Sequence, residues 1–335
     1  MSTARALVFE RHGAPDAVLQ LKDLPLPDPD ELADTEILVD MLAAPLNPSD
    51  YNTVEGRYPL LPPLPGVGGH EGVGVVRAVG PKVTTMVPGD RVIALASKQG
   101  TWRTAGVFEE TAWYRVSPEL PASVAGTMSI NPPSALSMLR EFVDLSPGDA
   151  FVQNGANSAV GRYAIQIAKH RGLRSINVVR ERPEPAMSKL RCELEALGAD
   201  LVTTPKELRA ALPVSGLPAP RLALDCVGGD AATAVAKVLA PHGTMVTYGA
   251  MSKTGLSIPP SLLIFKDISF RGFWLSGHYA ARPRDKEALI DEISDLFLQG
   301  VIKPAPVQSI DIADYKRAID AYNAPGEKVL FTFGN

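Results

Sequence analysis

Residues 151–161, Phe-Val-Gln-Asn-Gly-Ala-Asn-Ser-Ala-Val-Gly, carry the strongest chemical signal in the chain. An apolar strand pattern runs into a turn of small residues and then into a helical pattern. Residues 156–161 occupy the frame of a G-x-G-x-x-G fingerprint, of which only the third glycine, Gly161, survives. Small residues there let the backbone approach a pyrophosphate, and the helix that follows offers it free N–H groups and a positive dipole end. Asn157 and Ser158 add side-chain donors. A tight β–α turn that binds nothing would use the same residue types.

The end of the second strand narrows the ligand. It reads Asn-Val-Val-Arg-Glu-Arg over residues 177–182. Arg180 follows Gly161 by roughly 20 residues, the offset at which a dinucleotide fold meets the ribose 2′ position. An acidic residue there accepts from the 2′-hydroxyl of NAD, whereas arginine pairs with the 2′-phosphate of NADP. Arg180 and Arg182 flank Glu181, so the balance favours NADP.

Candidate proton donors lie earlier. His70-Glu71 sits among glycines in residues 68–74, but zinc needs partner ligands and no cysteine is near. A packed or hydrogen-bonded histidine is the expectation, with no metal. A Gly-x-Ser-x-Gly element and a P-loop are both missing, which leaves proton transfer to an ordinary acid such as tyrosine. Tyr51 and Tyr58 are both expected in the polar loop after residues 43–50. Residue type alone does not choose between them, and either could be a packing tyrosine.

The elements that must position these residues fall into two blocks. Residues 1–130 are rich in proline, glycine and β-branched residues, with short apolar runs at 6–9, 36–41, 72–79 and 90–94 separated by turn signals. This pattern predicts a small β-rich domain. Residues 131–275 alternate apolar strands (150–153, 175–179, 201–203, 222–227, 244–248) with helical patterns (159–170, 188–197). Gly198 stops the second helix as a left-handed cap. Such alternation predicts an α/β domain with a parallel sheet covered on both faces. From 276 onward the sequence shows one long helix, 285–298, and a terminal strand, 329–333, expected to rejoin the first domain.

Whole-chain properties exclude other classes. The 335 residues favour two domains. Hydrophobic residues at 45% and charged residues at 21% fit a globular protein, and the net charge of −4 argues against nucleic acid or an anionic membrane as partner. No apolar run reaches the ~18 residues of a membrane span. Cys192 and Cys226 are too few for a disulfide framework and fit a reducing compartment. Residues 1–8 carry one arginine and run into a strand pattern, reading as neither a signal nor a transit peptide.

Several stretches, taken in order, resemble one family. They are Leu-Asn-Pro-Ser-Asp-Tyr-Asn at 46–52, Gly-Arg-Tyr-Pro-Leu-Leu-Pro at 56–62, Gly-Thr-Trp-Arg-Thr at 100–104, Ile-Asn-Pro-Pro at 130–133, residues 153–161, and 177–183. Asp-Cys-Val-Gly-Gly at 225–229, Met-Val-Thr-Tyr-Gly at 245–249, Leu-Ile-Phe-Lys-Asp at 263–267 and Arg-Gly-Phe-Trp-Leu-Ser at 271–276 continue the series. Together they resemble the mitochondrial 2-enoyl thioester reductases, a zinc-free branch of the medium-chain dehydrogenase/reductase superfamily, over nearly the whole chain.

The resemblance implies a GroES-like catalytic domain (residues 1–130 and 276–335) and a Rossmann, doubly wound NADPH-binding domain (131–275). It implies NADPH-dependent reduction of trans-2-enoyl-CoA or enoyl-acyl carrier protein, a homodimer joined along residues 268–275, and the mitochondrial matrix in a eukaryote or the cytoplasm otherwise. The proton donor falls on Tyr58. NADPH contacts fall on Asn131, on Asn157, Ser158, Ala159 and Val160, on Arg180, Glu181 and Arg182, and on Tyr248, Gly249, Ala250 and Met251, then on Phe273, Trp274, Leu275 and Lys328. His70 stands where the family usually has asparagine. The acyl chain needs an apolar pocket, with residues 60–64, Phe142 and 273–275 as candidates. Two competing readings are a quinone or enone reductase of the same superfamily and a non-enzymatic NADPH-binding protein.

Overall fold

The computed structural model describes residues 2–324 and 326–334. The chain forms two compact units: 1–130 with 284–298 and 304–335, and 131–283 with 299–303.

The first unit is mainly antiparallel β-structure. Strand Glu36–Pro45 is its spine, pairing with Val73–Val79, Ala105–Glu109 and Lys328–Thr332. Strand Thr3–Phe9 pairs with Gln20–Pro25 and Gly66–Val67 in a separate three-stranded sheet. Leu7, Phe9, Ile37, Val39, Met41, Trp102 and Phe331 fill the shared core. The Trp102 indole meets Phe331 edge-on and donates to Pro45 O at 3.0 Å. The C-terminal part holds more than the one helix and one strand expected: strand Val307–Asp311 lies parallel to Lys328–Thr332, with helix Tyr315–Asn323 between them. That β–α–β excursion is short, its helix being 9 residues long with Ala318 and Ile319 buried.

Tyr51 is not in a loop. Helix Pro48–Val54 carries it, started by Pro48 and by the Asn47 N–H donating to the Asp50 carboxylate at 2.7 Å. The expectation of a polar loop overlooked the helix-start signal in Asn-Pro-Ser-Asp, where a proline fits the first helical position.

The second unit contains a six-stranded, wholly parallel sheet. Its order in space is Leu201–Thr203, Arg174–Val178, Ala150–Asn154, Leu222–Asp225, Thr244–Thr247, Ser269–Gly272. The chain therefore starts in the middle, winds outward one way, returns and winds the other, the doubly wound Rossmann order. Successive residues of one strand face opposite sides. Leu201 packs with Val152, Ile176 and Ala223, while Val202 packs with Ile165, Met187 and Leu194. Both faces are thus covered, as a parallel sheet requires. The last strand is shorter than the expected 268–275, because Trp274 opens helix Leu275–Ala281.

Candidate active site

In the second unit the candidate cofactor residues collect at the C-terminal edge of the parallel sheet. Residues 155–160 follow Ala150–Asn154, Arg180–Arg182 follow Arg174–Val178, Tyr248–Met251 follow Thr244–Thr247, and Phe273–Leu275 follow Ser269–Gly272. Ligands of open α/β sheets bind at this edge, where the winding reverses. Asn131 opens helix Asn131–Glu141, which packs on helix Ala159–His170.

The turn itself has the geometry a diphosphate needs. Ser158 caps helix Ala159–His170, its side-chain oxygen accepting from Gly161 N–H at 3.2 Å. The first helical bond runs from Arg162 N–H to Ser158 O, so the amides of Ala159 and Val160 lie ahead of the ladder. Gly161 survives in the fingerprint for a steric reason: a Cβ there would lie 2.6 Å from Ala156 O. Gly155 has φ +58, and a Cβ on it would strike Cys226 Sγ at 2.5 Å.

Residue patterning assigns no role to the residue that holds this edge together. Asp225 is fully buried. Its Oδ1 accepts from Asn154 Nδ2 at 2.6 Å, Val227 N–H at 3.1 Å and Gly228 N–H at 3.0 Å, and its Oδ2 from Thr247 Oγ1 at 3.1 Å. Three strand ends are joined through one carboxylate. Burial pushes the neighbouring Cys226 thiol up to about 11 and the Tyr248 phenol well above its ordinary value.

Arg180 is exposed and Arg182 half-buried, and neither forms an ion pair among the described residues. Glu181 instead meets Lys206 at 2.9 Å. The cluster is left with two arginines outside any ion pair among the described residues, a charge that would suit the 2′-phosphate of NADPH.

In the first unit the two tyrosines have different surroundings. Tyr51 is buried and stacked on Tyr322 at 4.0 Å and 20°. Its hydroxyl is buried without a hydrogen-bond partner among the described residues, and burial pushes the phenol above its ordinary range. Tyr58 is half-buried, with its N–H donating to Asn52 O at 3.1 Å and its ring 5.4 Å from that of His70.

His70 belongs to a buried polar network. Its Nδ1 accepts from Lys98 N–H at 2.9 Å, and its Nε2 meets Thr53 Oγ1 at 2.7 Å. Burial lowers the imidazole to about 4, so the ring is neutral near pH 7. Asp50 Oδ1 accepts from His70 N–H at 2.9 Å, and burial pushes this carboxyl up to about 7. Glu71 accepts from Asn47 Nδ2 at 2.9 Å and from the amides of Ser129 and Ile130 at 2.9 and 3.0 Å. Burial raises Glu71 and lowers Lys328, whose ammonium donates to Asn47 Oδ1. Lys328 thus sits among Asn47, Asp50 and Glu71. Sequence reasoning found His70-Glu71 but missed Asn47, Asp50 and Thr53, for which the helix-start pattern was the available signal.

These residues do not fit zinc. Both imidazole nitrogens of His70 are engaged, and the chain's two cysteines, Cys192 and Cys226, belong to the other unit. No cluster of three metal-ligating side chains occurs among the described residues.

Of the candidates for an acyl pocket, Phe273 and Leu275 are buried, and Phe142 is half-buried against Phe273 with Arg271 over its ring. Leu61 and Leu64 are exposed.

Comparison with known proteins agrees with this architecture. Residues 33–123 match the family model described as alcohol dehydrogenase GroES-like domain, and residues 159–295 the one described as zinc-binding dehydrogenase. The mitochondrial enoyl-[acyl-carrier-protein] reductase of Rattus norvegicus is 46% identical over 330 residues, covering 97% of this chain and 87% of its own. The Homo sapiens protein of the same name is 45% identical over 325 residues, covering 96% and 86%. The solved complex of Etr1p with NADP and crotonyl-CoA superposes with a TM-score of 0.92 at 32% identity, covering 99% of this chain and 100% of that one. The GroES-like and Rossmann units expected from sequence are borne out, and the chain belongs to the mitochondrial enoyl thioester reductase family of the medium-chain dehydrogenase/reductases.

Proposed function

We propose that this protein is an NADPH-dependent reductase of trans-2-enoyl thioesters, carried by CoA or by acyl carrier protein, with Tyr58 as its proton donor. Membership of the enoyl thioester reductase family supports the reaction. The observation that carries the assignment of the acid is the contrast between the two tyrosines: Tyr51 is locked in the core, whereas Tyr58 is half-buried beside a neutral imidazole.

When bound, NADPH would supply a hydride to Cβ of the conjugated thioester. The π electrons then move through Cα onto the thioester oxygen as an enolate. When the carbonyl re-forms, Cα takes the phenolic proton of Tyr58, whose phenolate is reprotonated from water because the side chain is half-exposed. Asn157, Ser158 and the amides of Ala159 and Val160 would hold the diphosphate, and Arg180 and Arg182 the 2′-phosphate. Asn131, residues 248–251 and 273–275, and Lys328 are the remaining proposed contacts.

A quinone reductase would share the fold and NADPH but would not need a fixed acid for carbon, since hydroquinone oxygens take protons from water. Tyr58 therefore favours the enoyl substrate. Parallel assays of NADPH oxidation with crotonyl-CoA, longer enoyl-CoAs, an enoyl-carrier protein and a simple quinone test the reading. Turnover of the quinone alone would overturn it.

The proposed assembly is a homodimer through the free edge strand Ser269–Gly272. The preceding helix leaves Leu263, Ile264 and Phe265 at 50%, 69% and 80% exposed, a run that solvent disfavours. A monomeric mass at micromolar concentration would contradict the dimer. In a eukaryotic cell the proposed site of action is the mitochondrial matrix. No helix among the described residues is long and apolar enough to cross a membrane.

A further inference from the structure

We propose that His70 is a positioning residue for Tyr58, fixing the phenol in the pose from which it protonates Cα; this rests on Tyr58 being the acid. The phenol sits in the irregular segment after helix Pro48–Val54, where Arg57 N–H and Tyr58 N–H both donate to Asn52 O at 2.7 and 3.1 Å. These backbone bonds locate the Cα of Tyr58 but do not aim its ring. The imidazole of His70 lies against that ring, centroids 5.4 Å apart and planes tilted by 42°.

That imidazole is held at both nitrogens. Nδ1 accepts from Lys98 N–H at 2.9 Å, so the neutral ring carries its proton on Nε2. Nε2–H then donates to Thr53 Oγ1 at 2.7 Å, and Thr53 donates its own proton to Ser49 O at 2.9 Å. All the donors run in one direction, from Lys98 through His70 and Thr53 to a helix carbonyl, which fixes the tautomer and the ring plane. The backbone N–H of His70 is bound to Asp50 Oδ1 at 2.9 Å, so neither main chain nor side chain is left to turn. An apolar side chain could fill the same buried space without the cost of desolvating these groups, but it would have no means of fixing an angle. The imidazole joins the helix at Thr53 to the loop at Lys98, and Tyr58 rests on it. A displacement of the phenol by about 1 Å is enough to cost on the order of a hundredfold in rate.

The test is a cycle of steady-state kinetics with NADPH and an enoyl thioester. His70→Leu keeps bulk and removes both hydrogen bonds. His70→Asn keeps an acceptor for Lys98 N–H. Thr53→Val removes the hydroxyl between His70 and Ser49. Each is measured alone and combined with Tyr58→Phe, with NADPH affinity followed by fluorescence. The expected result is a kcat loss of about 10- to 100-fold for His70→Leu, a smaller loss for Thr53→Val, recovery of most activity in His70→Asn, and KM and NADPH affinity within about threefold of the parent. With Phe at position 58, His70→Leu should cost less than about threefold in kcat, because no phenol remains to be aimed.

Equal kcat losses in both backgrounds would mean that His70 only supports the fold, and the proposal falls. An unimpaired His70→Leu beside an impaired Tyr58→Phe would sink it while leaving the acid assignment standing. A fully active Tyr58→Phe would remove the acid assignment and the inference with it. If His70→Leu does not fold, Thr53→Val carries the same cycle, and its failure to couple to Tyr58→Phe overturns the proposal.

Discussion

Asn154 Nδ2 donates to Asp225 Oδ1 at 2.6 Å, joining the ends of the two central strands between which the winding of the sheet reverses. The same carboxylate holds Val227, Gly228 and Thr247. Asp225→Ala would leave four donors without their acceptor, two of them buried and two half-buried. The expected loss of unfolding free energy is on the order of 3–5 kcal/mol, read from urea denaturation. A loss below about 1 kcal/mol would mean that water or a shifted backbone replaces the carboxylate.

The legibility of this chain in its sequence follows a physical divide. The parallel sheet was readable because short strand patterns with apolar residues alternate with helical patterns, and because the turn after Ala150–Asn154 is marked by small residues. The site turn was readable because Gly161 is forced by contact with Ala156 O, a local constraint. Asp225 was not readable as a hub. Its partners Asn154 and Thr247 lie far along the chain on different strands, and no local spacing encodes such a meeting. The same holds for Lys328, which reaches Asn47 across most of the sequence. Tyr51 and Tyr58 are seven positions apart, and the helix-start signal at residues 47–50 places only Tyr51 on a helix. The stacking of Tyr51 on the distant Tyr322, which buries its ring, has no local signal.

Cofactor choice should follow Arg180. Glu181 is held by Lys206 at 2.9 Å, so the ribose end of the site is governed by the arginines. Arg180→Ala is expected to weaken NADPH binding by about 1.5–3 kcal/mol, the worth of a charged hydrogen bond, and to leave NADH nearly unchanged. Titration of both cofactors into parent and variant checks this. Equal affinity of the parent for NADPH and NADH would rule out the role.

His70 also sets a pH signature for stability. Its folded value, lowered to about 4, lies below the ordinary 6.5, so between these limits the unfolded chain takes up a proton that the folded one refuses. That term removes stability as pH falls from about 6.5 to about 4. Asp50 acts in the opposite sense: its folded carboxyl, raised to about 7 from 3.8, keeps a proton that the unfolded chain releases, so stability is lost as pH rises through that window. In the parent the two slopes offset one another. His70→Asn removes one of them. Between pH 7 and pH 4, stability should shift by about 2–3 kcal/mol in favour of the variant relative to the parent. Parallel denaturant curves at several pH values measure that difference, and a pH-independent gap would show that the imidazole titrates normally.

The sharpest contrast is between two phenols seven residues apart. Tyr58→Phe keeps the ring that packs against His70 and removes only the hydroxyl, so folding and NADPH binding should be retained. Enoyl thioester reduction should slow by 10²–10⁴-fold if the phenol is the general acid, at the low end if water can reach the enolate in its place. Tyr51→Phe removes a hydroxyl that is buried without a partner among the described residues, beside a stacked Tyr322. Deleting an unsatisfied buried polar group is neutral or stabilising, by up to about 1–3 kcal/mol. Tyr51→Phe should therefore match or exceed the parent in melting temperature and retain its kcat. Steady-state kinetics and thermal unfolding of the two variants side by side decide the matter. A larger kcat defect in Tyr51→Phe than in Tyr58→Phe would place the acid on the stacked residue, and the buried, unpartnered hydroxyl would then need a functional explanation in place of a packing one.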